Sequence, residues 1–102
     1  MMSGDNLFTP KPAGTVNIVA TGSSARILLN RLACRQLRIK NISAADVAFV
    51  NFGDVTVTAA TTTGMPIGAG ETVGITLAED WTYAAAVTGG TSTVYFTPGN
   101  GL

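Results

Sequence analysis

The chain has 102 residues, enough for one domain and too few for two. Six basic and six acidic residues cancel, only 12% of the chain is charged, and 46% is hydrophobic; a chain of this kind is not disordered, and it draws no nucleic acid through net charge. A single cysteine excludes a disulfide scaffold, and no apolar run approaches the roughly 18 residues of a membrane helix.

Residues 1–14 show no hydrophobic period and form a predicted extended arm, because Pro10 and Pro12 favour a polyproline-like path. The arm has no apolar core of a signal peptide, so the expectation is a protein made and folded in a cytoplasm. Leu7 and Phe8 are large apolar residues in this arm. They tuck against their own domain or lie on a neighbouring subunit.

From Thr15 onward short strands alternate with turns. Residues 15–20 alternate and run into Thr21-Gly22-Ser23-Ser24, a turn cluster. Residues 25–30 and 35–41 follow; in the latter Leu37 and Ile39 share one face, and Gln36, Arg38 and Lys40 share the other. Ser23 to Leu37 also has a helical reading, capped by Ser23 or Ser24, but the surroundings favour two strands. Residues 46–51 and 54–59 are predicted strands around a turn at Phe52-Gly53, and a Thr- and Gly-rich stretch carries the chain to Gly70. Residues 71–77 place Val73, Ile75 and Leu77 on one face. Residues 81–88 and 92–97 flank Gly89-Gly90, a pair suited to a two-residue hairpin. Eight or nine strands in about 85 residues predict an all-β fold, a single antiparallel jelly-roll-like β-sandwich over residues 15–102.

Reactive chemistry is thin. There is no histidine for proton transfer near neutral pH, and Cys34 has no histidine to deprotonate it. Glu79-Asp80 is the only adjacent acidic pair, and neighbours on a strand point to opposite faces, so a turn suits them better than glycosidase chemistry. Gly68 to Gly74 lacks the Lys of a phosphate loop and leads into a strand. No calcium-loop spacing occurs. Asn41-Ile42-Ser43 matches a glycosylation acceptor but reads as a turn in a protein that is not secreted. No enzyme activity, cofactor, metal or small-molecule substrate is expected.

Charge order is more informative. Residues 1–40 hold all six bases and only Asp5, whereas residues 41–102 hold the other five acids and no base. Cross-strand pairing would mix these charges within the domain. Alternatively the bases form a patch that meets an acidic partner. Trp81, Tyr83, Tyr95 and Phe96 belong to a core or subunit interface, with sugar stacking as the competing use.

Arg35-Gln-Leu-Arg-Ile-Lys-Asn41, Val47-Ala-Phe-Val-Asn-Phe-Gly-Asp54, Gly64-Met-Pro-Ile67 with Ala69-Gly70, Tyr83-Ala-Ala85 and Val94-Tyr-Phe-Thr-Pro-Gly99 with Gly101 follow one another in order. In this arrangement, over residues 14–102, the chain resembles small virion proteins of tailed bacteriophages, several of which are β-sandwiches that decorate and cement the capsid. The resemblance implies a structural protein of the outer capsid surface. Its implied partners are the major capsid protein and further copies of itself, as a homotrimer first and a homodimer second. Head–tail connector, tail or fibre component is the alternative within the particle; a carbohydrate-binding module is the alternative outside that class. Leu7, Phe8, Arg31, Arg35, Arg38 and Lys40 are the candidate interface residues, with no nucleic acid and no membrane as partner.

Overall fold

In the computed structural model, which describes residues 9–101, nine strands form two antiparallel sheets packed face to face. They are β1 (Thr9–Pro10), β2 (Val16–Ala20), β3 (Ala25–Leu28), β4 (Gln36–Asn41), β5 (Ala48–Gly53), β6 (Met65–Ile67), β7 (Thr72–Thr76), β8 (Tyr83–Thr88) and β9 (Ser92–Asn100). The first sheet runs β1-β9-β4-β7, with β2 sharing the β1 edge of β9; the second runs β3-β8-β5-β6. The pairs β2·β9, β3·β8, β4·β7 and β5·β6 are therefore nested, first with last. This is the jelly-roll sandwich that the strand count and spacing predict.

Alternation sets the register. On β4, Leu37 and Ile39 are buried, while Lys40 is exposed and Arg38 half-buried on the outer face. Their neighbours agree: Ile39 lies opposite Phe96 on β9 and Val73 on β7, and Leu37 opposite Pro98 and Ile75. Phe96, Leu37, Ile39, Ile67, Val50 and Val94 form the centre of the core. Each such side chain contributes about 1.5–3 kcal/mol by leaving water.

The helical reading of residues 23–37 does not hold: β3 and the start of β4 occupy it, joined by a turn in which Leu32 and Ala33 take left-handed backbone, φ 51° and 61°. Residues 9–14 lie against the first sheet, with β1 paired to Gly99 and Asn100 and a 3-10 turn at Pro12–Gly14. Gly14 is needed there, since a Cβ would come within 2.6 Å of both the Asn30 carbonyl oxygen and Pro98 Cγ.

Two predicted elements are overturned. Residues 81–88 and 92–97 are not a hairpin: β8 is central in the second sheet between β3 and β5, and β9 is central in the first. Both edges of each strand are already paired, so they cannot pair with one another. Gly89-Gly90 instead carries the chain across the sandwich, neither glycine having positive φ, with Thr91 N–H bonded to Asp46 Oδ2 at 3.2 Å. Residues 54–59 are not a strand either. Their alternation is real, but it serves a loop laid over the outer face of the second sheet. There Val57 and Ala59 pack on Phe49, Ala85 and Val87 in a second small core. Asn51 Nδ2 donates to the Thr58 carbonyl at 3.1 Å, and Ala59 N–H to Ser24 Oγ at 2.9 Å. The predicted loop that follows contains β6.

Candidate functional site

The outer face of the first sheet is built by the alternate positions of four strands. Asn17, Tyr95, Lys40 and Thr72 stand in one cross-strand row, and Thr97, Arg38 and Gly74 in the next. Thr15 Oγ1 and Thr97 Oγ1 share a hydrogen bond of 3.1 Å. Gln36, Thr76, Thr93 and Val19 complete a face of small, β-branched and amide side chains around Tyr95 and two bases. No outward position on these strands carries an acid. Lys40 Nζ donates to the Gly70 carbonyl at 2.8 Å, and Arg38 is also partnered. Lys40 and Arg38 are thus held on β4, between β9 and β7, in the middle of this face.

The other candidate residues are placed differently. Arg35 is exposed just before β4, its backbone N–H bonded to Asn100 Oδ1 at 2.9 Å. Arg31 turns its guanidinium onto four backbone carbonyls: Cys34, through Nε at 3.3 Å and Nη2 at 3.2 Å, and Ala78, Glu79 and Trp81, through Nη1 at 3.0, 3.3 and 3.2 Å. It ties the left-handed turn at residues 32–33 to the 78–81 turn. Leu7 and Phe8 lie outside the described residues.

At the opposite end of the sandwich, the Asn41 side chain is fully buried and joins the two sheets. Its Nδ2 donates to the Asp46 and Ile67 carbonyls, each at 2.9 Å, and its Oδ1 accepts from Ser43 N–H at 3.0 Å and from the Ser92 hydroxyl. A glycosylation enzyme cannot reach this side chain in the folded domain. Cys34 is buried, and its Sγ points to the Leu32 carbonyl at 3.7 Å. Asp54 accepts from the Thr56 hydroxyl and the Thr56 backbone N–H at 2.5 and 2.8 Å. These two bonds, the hydroxyl first, hold its carboxyl below the ordinary value.

One side of the sandwich is grooved. A cavity of about 340 Å³ opens between β6 and β7, walled by Val50, Phe52, Met65, Ile75 and Trp81. The Trp81 ring stacks on Phe52, with centroids 5.4 Å apart, and Phe52 meets Phe96 edge-on. Sequence reasoning puts Phe52 in a turn and Met65 in a loop and so misses this groove. The pointer available was an isolated Met-Pro-Ile inside a Thr- and Gly-rich stretch. Among the described residues no three His, Cys, Asp or Glu side chains are grouped as a metal site, and no helix is long and apolar enough to cross a membrane.

No family model matches the sequence and no curated protein matches it. Among solved structures, the chain is similar to one from the Bacillus endospore appendages, described as a novel family of disulfide-linked pili. The match has a TM-score of 0.51 and 12% sequence identity, and it covers 81% of this chain and 77% of that one. At this identity the likeness extends to the fold: both are β-rich, and the chain described here is a β-sandwich.

Proposed function

We propose that the protein is a structural component of a bacteriophage particle that decorates and cements the capsid by binding the lattice of the major capsid protein as an oligomer. The observation that carries this reading is the outer face of the first sheet: uncharged apart from Arg38 and Lys40, and without an acid on its strands. Such a face suits an acidic or polar surface laid against it. The sequence resemblance to phage virion proteins supports the same reading, as does a sandwich whose buried side-chain polar atoms, among the described residues, all have partners.

A second reading within the structural class is a tail, fibre or other filament component, favoured by the likeness to a pilus subunit. Disulfide linkage of that kind does not carry over readily, because the chain's one cysteine, Cys34, is 2% exposed.

The test pairs Arg38→Ala with Lys40→Ala. Two exposed ion pairs contribute about 0.2–1 kcal/mol each, and an oligomer bound through several contacts multiplies the loss. The double variant is expected to fold normally and to bind capsids more weakly, with a shallower dependence on salt. Capsid binding equal to wild type would remove this face as the docking surface. Imaging of the particle separates the two readings: shell-wide copies mean decoration, and a single ring or fibre means connector or tail.

A further inference from the structure

The groove between β6 and β7 is a missing piece of sheet. β5 is paired with β8 along its whole length, from Ala48 to Gly53, but with β6 only from Ala48 to Val50. Beside Asn51–Gly53 the second sheet has no further strand among the described residues. There the Phe52 N–H takes its acceptor from the neighbouring Asn51 side chain, at 2.9 Å. Across the groove, β7 is the edge of the first sheet. Its sequence, Thr-Val-Gly-Ile-Thr, has no charge and no proline, the usual protections of an edge strand. Val50, Phe52, Met65, Ile75 and Trp81 make the walls mostly apolar, with Asn51, Thr63 and Thr76 beside them, and Met65 is 37% exposed. An extended segment carrying large apolar side chains matches both the vacant strand position and the walls, the mode in which a peptide adds to a sheet edge.

We propose that this groove takes the Leu7–Phe8 segment of a second copy of the chain. Leu7 and Phe8 precede β1 by two residues and one, and β1 lies on the β9 edge of the first sheet. Three strand spacings, about 14 Å, separate that edge from β7, whereas two residues of chain span at most about 7 Å. A copy's own Leu7–Phe8 therefore falls short of its own groove. A neighbour set edge to edge, its β1 side against the β6–β7 side, brings the segment there. The contact is head-to-tail, so it closes into a ring or continues as a row. The proposal concerns copies of this chain and stands whatever their assembly decorates.

Trp81, the chain's single tryptophan, reports on the groove directly. The full-length protein is expected to grow beyond a monomer with concentration in light scattering, with Trp81 emission moving to shorter wavelength as it does. Leu7→Asp with Phe8→Asp in the full chain is expected to raise the concentration needed for association by about tenfold or more. A synthetic peptide of residues 1–11 added to that variant should restore the emission shift. Thr63→Arg with Met65→Lys, its fold checked by circular dichroism, blocks the groove and leaves the arm. Mixed with the arm variant, it should give a dimer and nothing larger, because each pair then retains one intact arm and one intact groove. Four results overturn the proposal: a wild type that stays monomeric with constant emission, an arm variant that assembles like wild type, a peptide that leaves Trp81 unmoved, or a mixture of the two variants that remains monomeric.

Discussion

Asn41→Ala is the substitution from which the sandwich should suffer most for the fewest atoms removed. The side chain makes four hydrogen bonds, and two of its partners, the Ile67 carbonyl and the Ser92 hydroxyl, belong to buried residues. Water can replace the amide at Ser43 and Asp46, which are half-buried, but not readily at the other two. A buried polar group left without a partner costs about 1–3 kcal/mol, so the loss should be about 3–5 kcal/mol. That is a large share of the roughly 5–15 kcal/mol holding a domain together, and it lowers the thermal midpoint on the order of 20 °C. Urea unfolding with an unchanged m-value is the clean measure. Asn41→Asp sharpens the test by placing a carboxylate against two carbonyl oxygens. That carboxyl would be raised above its unfolded value of about 4, so its destabilisation should grow as pH climbs past that value and fade below it. An Asn41→Ala protein within about 1 kcal/mol of wild type would refute the reasoning, because the bridge between sheets would then be ornamental.

Arg31→Lys should destabilise by about 1.5–3 kcal/mol in urea titration, since a point ammonium cannot serve the Cys34 carbonyl and the 78–81 carbonyls together; a neutral result would mean the turn holds itself. Cys34 should resist thiol reagents in the native protein and react on denaturation, followed by absorbance of the released thiolate. The lowered Asp54 carboxyl contributes stability above the ordinary carboxylate range and loses it as pH falls through the depressed value. Urea midpoints of wild type and Asp54→Asn should therefore differ near neutrality and converge in acid.

How much of this is legible in the sequence depends on the separation of the partners. Leu37 and Ile39 disclose their faces locally, by alternation, and the structure agrees. The same rule misleads at Val57 and Ala59: period two records a buried face, and a loop lying on a sheet can present one without any strand partner. Gly89-Gly90 reads as a hairpin because turn chemistry is local, whereas the vacancy of a strand's edges is not. Asn41 reads as a turn residue, since its deciding partners, Ile67 and Ser92, stand 26 and 51 positions away. Arg31 reads as a surface base for the same reason, its acceptors at 78–81 lying 47 to 50 positions on. Among the candidate bases, alternation correctly turns Arg38 and Lys40 outward, but it cannot show that Arg31 is occupied elsewhere.

The position of β9 has a consequence for how the molecule is made. This last strand is the hub of the first sheet, touching β1, β2 and β4 at once. Synthesis proceeds from the N-terminus, so β1, β2 and β4 emerge with the seat between them vacant. Ile18, Leu37 and Ile39 have no Phe96 or Val94 to pack on until β9 is translated. The first sheet therefore cannot close as the chain grows; β1, β2 and β4 must be kept from sticking to other chains until one late strand joins them. A nonsense codon before Ser92 should leave the first sheet open and its apolar face uncovered, a species for chaperones and proteases.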